Sequence, residues 1–298
     1  MGYLCPPAAD EPETLDPFSE ELRELVFHAL AEDLGQGDLT TRVTVPGEMQ
    51  AVGTFNSKQQ LVVAGLPIAR RVFEILDPSL EWQATVEEGA EVGPATPLAR
   101  LKGAAGSLLA GERVALNFLQ HLSGIATYAR QLKEELAGTR AEFLDTRKTT
   151  PGLRTLQKYA VRVGGGRNHR LRLDDGILIK GNHLRLVGGV RTAVESALQN
   201  RPAGYHVEVE ITSREELDEA INAGAGGVLL DNMSPEDVRE CVQRAAGRVR
   251  LEVSGGIDAS NIRAYAEAGV DYISVGALTH SAAAVDINFR VAPLPPAE

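Results

Sequence analysis

The sequence predicts an α/β protein in which a small mixed domain precedes a β/α barrel. Two observations lead to this fold class. From Ala51 to Lys102 the chain shows short β-like runs broken by Gly and Pro, with one clear helix among them. After Gly138 short apolar runs alternate with helical segments, and repeated strand–helix units imply parallel strands joined by right-handed crossovers.

The N-terminal part starts with residues 1–14, which combine Pro, Ala and acids without periodicity and are expected to form a disordered lead. Residues 19–34 place apolar side chains on one helical face and predict an amphipathic helix. The β-like runs AVGTF, QLVVAG, LEWQATV and PLARLKG follow. A helix at 66–76 interrupts these runs, and a long helical stretch at 108–136 comes after them. These elements predict a compact domain of helices and strands.

Six apolar runs carry the prediction of the barrel: AEFLDT, GILIKGNH, YHVEVEI, GGVLLDN, VRLEVSGG and DYISVGA. Helix starts between them are well marked, as at residues 234–237, where Ser, Pro, Glu and Asp form an N-cap and an acidic first turn. Near-continuous apolar runs are typical of strands buried on both faces, which favours a barrel over an open sheet. We expect residues 15–116 to form the N-terminal domain, with 286–298 as a candidate segment packing back on it, and 117–285 to form the barrel.

Composition and charge narrow the functional classes. The 298-residue chain carries a net charge of −11, which argues against general nucleic-acid binding. The N-terminus has no basic segment followed by an apolar core, and no stretch reaches the roughly 18 apolar residues of a membrane span. The two cysteines, Cys5 and Cys241, indicate neither a disulfide framework nor a metal site. We therefore expect a cytoplasmic protein.

The charge is unevenly distributed along the chain. The block from Arg147 to Arg191 contains eleven Lys and Arg but only two acids, Asp174 and Asp175, whereas the whole chain is acidic. One interpretation is a solvated basic surface. The other is a binding site for an anion, which the glycine-rich and strand-end residues within the block favour.

Polar residues follow every predicted strand of the barrel. Because the active site of a β/α barrel lies at the C-terminal ends of its strands, these residues are expected to meet on one rim. Strand ends are commonly exposed to solvent, which explains a polar residue at any one of them. Six consecutive strands that each end in such residues favour a functional site. They are Asp145, Arg147 and Lys148; Lys180, Asn182 and His183; Glu208 and Glu210; Asp231 and Asn232; Ser254, Gly255 and Gly256; and Gly276.

The glycine and carboxylate patterns each suggest a ligand. SGGI and SVGA close the last two strands, where glycines let backbone N–H groups approach a phosphate next to a helix start, although two ordinary tight turns would look the same. Glu208 and Glu210 are two residues apart and face the same side of their strand, and Asp231 ends the neighbouring strand. Such acids suit Mg²⁺ or ribose hydroxyls, while Glu210 in particular could instead balance Lys180 as an ion pair.

A dense cationic set lies in the basic block. Arginine offers a bidentate fork for carboxylates and lysine a point charge, so the set suits a substrate with several carboxylates plus a pyrophosphate. The glycine run at 164–166 is interpreted as a flexible or phosphate-approaching loop. The cations are Arg147, Lys148, His169, Arg170 and Lys180.

The segment DTRKTTPGLRTLQKYAVRVGGGRNHR, followed by ILIKGNH, resembles the central signature of the quinolinate phosphoribosyltransferase family. ALAEDLGQGDLTT and GERVALNFLQHLSGIAT resemble two further motifs of that family, and the likeness runs in order from about residue 16 to 290. The resemblance implies an N-terminal α/β sandwich domain and an incomplete, seven-stranded β/α barrel. It also implies transfer of phosphoribosyl from 5-phosphoribosyl-1-pyrophosphate to quinolinate, with loss of pyrophosphate and CO₂, to give nicotinate mononucleotide in de novo NAD biosynthesis.

The resemblance also implies roles for individual residues. Catalysis falls to Lys148, Lys180, Glu208 and Asp231, of which Glu208 and Asp231 hold ribose hydroxyls or Mg²⁺. Arg113 is expected to reach across the interface of a homodimer, and dimers could assemble further into a hexamer. The implied substrate-binding set is Arg113, Thr146, Arg147, Lys148, His169, Arg170, Lys180, Glu208, Asp231, Ser254, Gly255, Gly256, Val275, Gly276 and Ala277.

Two positions depart from the family pattern. Gly181 stands where an acid is usual after Lys180, and Arg172 stands where glycine is usual after the His-Arg pair. Both changes make the pocket more positive, which bears on substrate affinity more than on the class of reaction.

Two other functions are consistent with parts of the pattern. Lys180 at a strand end could be the Schiff-base nucleophile of a barrel aldolase, although that leaves the neighbouring cations and paired acids unexplained. A non-catalytic or altered-specificity paralogue could keep the fold and lose turnover. The presence of Arg113, Arg147, His169, Lys180 and Glu208 argues against that alternative.

Overall fold

The computed structural model describes residues 19–294, which fall into two compact units. The C-terminal unit is residues 129–281, and the N-terminal unit contains 19–128 together with 282–294. The lead predicted for residues 1–14, including Cys5, lies outside the described residues. The chain passes between the units inside a helix, after residue 128, whereas the sequence suggested a change near 116. Since one helix runs through both positions, its periodicity could not mark the change.

The N-terminal unit contains most of the elements expected from its sequence. Helix α3 has the predicted bounds and buries five apolar side chains. Its first N–H groups are capped from a distance, because the Glu88 carboxylate accepts hydrogen bonds from the N–H groups of Gly65 and Leu66. The helices are α1 (Glu20–Leu34), α2 (Leu39–Thr44), α3 (Leu66–Leu76) and α4 (Ala105–Glu135), and the strands are β1 (Gln50–Ser57), β2 (Leu61–Val62), β3 (Glu81–Ala84), β4 (Glu91–Val92) and β5 (Pro97–Ala104).

Helix α4 contains a glycine for a steric reason. A Cβ atom added at Gly124 would lie 2.1 Å from the carbonyl oxygen of Ala283. Real Cβ contacts are never this short, so a side chain at position 124 would displace the segment that follows residue 281. Glycine inside a helix is about 1 kcal/mol less favourable than alanine. This close approach of the Ala283 carbonyl explains why glycine is nevertheless found at position 124.

The C-terminal unit alternates short strands with helices, as predicted. Among its helix starts, the Ser234 hydroxyl accepts a hydrogen bond from the Asp237 N–H at 3.1 Å, which confirms the predicted cap. The strands are β6 (Glu142–Leu144), β7 (Ile177–Ile179), β8 (Val207–Ile211), β9 (Gly227–Asp231), β10 (Arg250–Ser254) and β11 (Tyr272–Ser274). The helices are α5 (Arg154–Val163), α6 (Gly181–Val187), α7 (Val190–Asn200), α8 (Arg214–Ala223), α9 (Pro235–Ala245), α10 (Ile262–Ala268) and α11 (Ala277–His280).

The six strands form one parallel sheet with the order β6-β11-β10-β9-β8-β7. Consecutive strands are neighbours from β7 to β11, and the last strand then lies beside the first, as in a barrel. On its other side β6 makes an isolated parallel bridge between Leu144 and Arg167. The predicted fold class is confirmed. The sheet has six strands, and where the expected seventh strand would pair with β6 there is, among the described residues, only this single bridge.

The final strand, β12 (Ile287–Pro293), belongs to the N-terminal unit. It pairs antiparallel with β1 and completes a four-stranded sheet of order β12-β1-β5-β3. Its Phe289 packs against Phe55 with ring centroids 4.4 Å apart. The chain therefore returns to the N-terminal unit after the C-terminal unit is complete. Among the described residues, no helix combines the length and apolar character needed to cross a membrane.

Candidate active site

The strand order brings the polar strand ends to one edge of the C-terminal sheet. Because all six strands are parallel, their C-terminal ends lie on the same side. Pairing registers place Ser254 opposite both Asp231 and Ser274, and Ser274 opposite Leu144. Read along the sheet, the edge carries Arg147 and Lys148, then Val275, Gly276 and Ala277, then Ser254, Gly255 and Gly256, then Asp231, and finally Lys180. Glu208 and Glu210 lie inside β8 rather than after it, and Glu208 is the second of its five residues.

Arg147 and Lys148 follow β6 and have no acidic partner among residues 19–294. The Arg147 Nε atom is buried without a hydrogen-bond partner in the described structure. The Lys148 side chain is exposed, and its backbone carbonyl accepts a hydrogen bond from the Thr279 hydroxyl at 2.7 Å. The Lys148 backbone N–H donates to the hydroxyl of Thr146 at 3.1 Å. The loop is therefore fixed through its backbone while its two cationic side chains remain available to an anion.

A buried ion pair supports the loop that carries His169. Asp145, at the end of β6, is fully buried and forms an ion pair with Lys158 of α5. Asp145 also accepts from the His169 N–H at 2.9 Å, and Lys158 donates to the His169 carbonyl at 2.8 Å. Burial raises the pKa of Asp145 and lowers the pKa of Lys158, whereas the attraction between the two opposes both shifts. Asp145 is thus a structural anchor rather than a group open to substrate.

His169 faces two buried glutamates. Its Nε2 atom lies 3.6 Å from Oε2 of Glu208 and 3.7 Å from Oε2 of Glu252. The two glutamates are 3% and 1% exposed, respectively. Burial, together with the charge of Glu208, raises the pKa of Glu252 to about 7. Burial opposes a charged His169 ring, but the charges of Glu252 and Glu208 outweigh it and raise the pKa of His169.

The same three side chains form a potential cation site. Within residues 19–294 they are the one group of three or more His, Cys, Asp or Glu side chains whose ligand atoms all lie within 4.8 Å of one another. Oε1 of Glu208 and Oε2 of Glu252 are buried and accept no hydrogen bond from the described residues. Asp231, predicted as a metal ligand with Glu208, is not part of this group.

Lys180, at the end of β7, is paired within the protein. Its Nζ atom lies 2.5 Å from Oε2 of Glu210, and the N–H of Gly181 donates to Oε1 of the same carboxylate at 3.1 Å. The ion pair considered for Glu210 from the sequence is therefore present. Arg170 is also engaged, since its Nη1 donates to the carbonyl of Gly176 at 2.8 Å. Asn182 and His183, in α6, are exposed.

Ser254 and the two glycines after it form a turn with open N–H groups. The Ser254 hydroxyl donates to Asp231 at 3.2 Å, and the Asn232 side chain donates to the other Asp231 oxygen at 2.8 Å. Gly255 has a φ of +105°, and a Cβ atom there would overlap the Asn232 side chain. The N–H groups of Gly255 and Gly256 make no hydrogen bond within the described part of the chain. Helix α10 starts only at residue 262, so this turn does not lie directly at a helix N-terminus.

The glycine run at 164–166 does not form a phosphate loop, and that interpretation was wrong. Its three N–H groups donate to carbonyls of α5 and end the helix. A Cβ atom at Gly166 would lie 2.4 Å from the ring of Phe143, and one at Gly165 would lie 2.7 Å from the Lys133 side chain. Close packing, not ligand binding, explains these glycines.

Comparison with known proteins decides the family. The profile described as "Quinolinate phosphoribosyl transferase, C-terminal domain" matches residues 125–290, and that of the N-terminal domain matches residues 38–123. The chain belongs to the quinolinate phosphoribosyltransferase family. It is 42% identical to the probable nicotinate-nucleotide pyrophosphorylase [carboxylating] of Synechocystis, over 88% of this chain and 90% of that protein.

Two further relatives agree. The nicotinate-nucleotide pyrophosphorylase [carboxylating] of Mycobacterium leprae is 42% identical over 89% of this chain and 95% of that protein. The solved nicotinate-nucleotide pyrophosphorylase of Francisella tularensis is 40% identical, covers 91% of this chain and 96% of its own, and superposes with a TM-score of 0.88. The similarity of sequence and fold therefore extends over almost all of each quinolinate phosphoribosyltransferase compared.

Several residues of this quinolinate phosphoribosyltransferase site were missed from the sequence. Glu252 lies two residues before Ser254 in β10, so strand alternation could have placed it on the same face. His280 has its Nε2 atom 3.1 Å from a Cβ position at Gly276, within the quoted motif GVDYISVGALTHS. Lys158 looked like one more surface cation on a helix. Two residues that the sequence did single out lie on the surface: Arg172 is exposed, and Arg113 is exposed on α4 in the N-terminal unit.

Proposed function

We propose that this chain joins C1 of 5-phosphoribosyl-1-pyrophosphate to the nitrogen of quinolinate and releases pyrophosphate, CO₂ and nicotinate mononucleotide, the reaction that enters de novo NAD biosynthesis. The observation that carries the proposal is the pair Arg147 and Lys148 at the C-terminal edge of the sheet. These two adjacent cations have no acidic partner among the described residues. Cations that no acidic side chain of the described residues neutralises are available to a carboxylate or phosphate ligand. Membership of the family supports this ligand class.

Different residues along the sheet edge would bind the two substrates. Arg147, Arg170 and Lys180 would bind the two carboxylates of quinolinate, since an arginine fork and a lysine charge suit carboxylates. His169 would support Arg170, whose backbone N–H donates to the Nδ1 atom of His169. The open N–H groups of Gly255 and Gly256 would receive the 5′-phosphate, with Val275, Gly276 and Ala277 beside them. Glu208 would accept from a ribose hydroxyl through its unpartnered oxygen.

The chemistry needs positioning and electrostatics more than a strong base. In the first step the bond between C1 and pyrophosphate breaks while the quinolinate nitrogen attacks, so positive charge develops on the ribose. Lys148 would stabilise the negative charge on the leaving pyrophosphate. In the second step the quaternary nitrogen stabilises the electron pair left on C2 when CO₂ departs. A proton from solvent then replaces the lost carboxyl group.

Mg²⁺ is part of the proposal. Oxygen ligands suit this ion, and Glu208 offers one unpartnered buried oxygen, whereas both oxygens of Asp231 already accept hydrogen bonds. Glu208 is thus more open to a ligand than Asp231, but the same oxygen is proposed for a ribose hydroxyl, so the pyrophosphate would supply most of the ligands of the ion. When bound, Mg²⁺ would neutralise charge on the leaving group.

We extend the proposal to a homodimer in which Arg113 of one subunit completes the site of the other. Arg113 is exposed and makes no ion pair within residues 19–294, as a cation that serves another chain would be. Assembly into a hexamer and a cytoplasmic location also stay predictions.

The aldolase alternative fits the site poorly. A Schiff-base lysine must lose its proton before it attacks a carbonyl. Lys180 lies 2.5 Å from the Glu210 carboxylate, which stabilises its charged form. Borohydride trapping of a covalent adduct on Lys180 would nevertheless establish that function.

A direct assay tests the proposal. Purified protein is mixed with quinolinate, 5-phosphoribosyl-1-pyrophosphate and Mg²⁺, and nicotinate mononucleotide is followed by chromatography. We expect product only when both substrates are present. A folded protein that forms no product over hours would refute the proposal and leave the non-catalytic paralogue as the better interpretation.

A further inference from the structure

We propose that Glu252 is a positioning residue that, together with Ser274, holds the His169 ring in place and, through that ring, fixes Arg170 in the arrangement that binds quinolinate. The inference rests on the proposed function, and it concerns a residue that none of the predicted roles includes. Glu252 is 1% exposed on β10, and its side chain lies on the face of the sheet that carries Ser254.

The Glu252 carboxylate is held from the neighbouring strand. The Ser274 hydroxyl on β11 donates to Oε1 of Glu252 at 2.6 Å. The two strands pair in parallel with Ser254 opposite Ser274, so the hydroxyl reaches back by two residues to Glu252. This contact occupies one carboxylate oxygen and points the other, Oε2, at the His169 ring 3.7 Å away.

The protonation of the ring suits this arrangement. The Arg170 N–H donates to Nδ1 of His169 at 2.7 Å, so Nδ1 acts as an acceptor. A neutral ring must then carry its proton on Nε2, the atom that faces Glu208 and Glu252. The same arrangement argues against a transition metal in this cluster, because a ligating Nε2 would need its lone pair and would move the proton to Nδ1.

Glu208 and Glu252 both face the Nε2 atom of His169, so one of them can bind substrate while the other keeps its contact with the ring. Oε1 of Glu208 is free of protein partners in the described structure and is available to a sugar hydroxyl. No such task is proposed for Glu252, whose carboxylate offers no free oxygen to the ribose because Oε1 is tied to Ser274 and Oε2 faces the His169 ring. We infer that Glu252 keeps the ring in place when Glu208 is drawn to the ribose.

The inference predicts a specific kinetic change. Glu252→Gln keeps the size of the side chain but removes its charge, so the ring loses its fixed partner. We expect the KM for quinolinate to rise about tenfold, the loss expected when a buried N–H group is deprived of a charged neighbour, while the KM for 5-phosphoribosyl-1-pyrophosphate and kcat stay within about twofold. A merely structural role would lower the active fraction, and hence kcat, without separating the two KM values.

Further variants separate positioning from folding. Ser274→Ala removes the hydroxyl that orients Glu252 and should raise the same KM by about threefold. Glu252→Asp retains a carboxylate and should fall between wild type and Glu252→Gln. Glu219→Gln makes the same chemical change at an exposed residue of α8 and should match the wild type. If Glu252→Gln does not fold, Ser274→Ala carries the test.

The outcomes for the inference and for the proposed function are distinct. An inactive wild type would overturn the proposed function itself. An active wild type whose Glu252→Gln and Ser274→Ala variants keep the wild-type KM for quinolinate would overturn the inference alone. An equal rise in both substrates' KM values would also overturn it, because the effect would then not belong to His169.

Discussion

The Nζ atom of Lys180 lies 2.5 Å from Oε2 of Glu210, so a cation expected to bind substrate is already paired in the free protein. The other oxygen of Glu210 accepts from the N–H of Gly181, the residue that replaces the acid usual in the family pattern. A Cβ atom at position 181 would lie 3.6 Å from that oxygen. The space beside Glu210 can hold a side chain, but a second carboxylate there would compete for Lys180.

The change Gly181→Asp tests this competition. We expect the KM for quinolinate to rise several-fold, because a second negative charge reduces the share of Lys180 that is available to the substrate. Folding should not suffer, since an acid in the first turn of α6 is favourable. Gly181→Asn has the same shape without the charge and should stay near the wild type. Equal effects of Asp and Asn on the KM would show that sterics, not charge, set the affinity.

Lys148 is expected to act on the leaving pyrophosphate. Lys148→Ala should lower kcat by about tenfold or more, because a charge-stabilising contact of the transition state is lost. Arg191→Ala removes a cation of the same block that is paired with Glu195 on α7, and it should leave kcat unchanged. Steady-state rates at saturating substrates measure both variants. A wild-type kcat for Lys148→Ala would remove this residue from the mechanism.

The proposed sharing of sites across a dimer predicts complementation. Arg113→Ala and Lys148→Ala subunits, each much less active than the wild type alone, are unfolded together and refolded as a mixture. Half of the dimers are then mixed, and one of their two sites is intact, so we expect about a quarter of the wild-type activity. Arg113→Ala mixed with itself serves as the control. A mixture no more active than its components would show that Arg113 does not act in the other subunit's site.

The buried Glu252 predicts a dependence of stability on pH. Burial and Glu208 raise its pKa from 4.5 in the unfolded chain to about 7 in the fold. A raised pKa means that the folded state holds the proton more tightly, so its contribution to stability is complete below about pH 4.5 and is lost as the pH rises through about 7. The glutamine in Glu252→Gln cannot ionise, so the stability of this variant should not decrease in this way as the pH rises.

Urea unfolding at about pH 5 and about pH 8 measures the effect. Between these values the free energy of unfolding of the wild type should fall by at most about 3 kcal/mol more than that of Glu252→Gln. Glu219→Gln should follow the wild type. The same pH dependence in wild type and Glu252→Gln would show that Glu252 is not the group that titrates.

Elements with marked ends could be predicted from the sequence. Helix α3 was predicted at 66–76 and is found there, because Gly65 and Pro67 mark its start and Asp77-Pro78 its end. Helices α5 and α6 were not recognised, since α5 lies in a charged segment that ends in glycines and α6 has only seven residues. Local signals define a helix only where its boundary residues differ from its interior.

The candidate site shows the same division. The strand-end residues could be read directly because parallel strands place them on one edge, and the resemblance added Thr146 and Arg113. Strand alternation places Glu252 on the face that carries Ser254, but this glutamate lies inside its strand rather than at the end and was not selected. The glycine run at 164–166 looked like a loop. Its actual reason is the ring of Phe143, a contact between segments distant in sequence. Tertiary packing of this kind leaves no trace in local pattern.

The fate of one carboxyl group tests the central claim most directly. Quinolinate labelled with ¹³C in its C2 carboxyl is incubated with the protein, 5-phosphoribosyl-1-pyrophosphate and Mg²⁺. We predict one labelled CO₂ for each nicotinate mononucleotide formed, and no label in the nucleotide. Label retained in a nucleotide product, or labelled CO₂ released without the phosphoribosyl donor, would contradict the account.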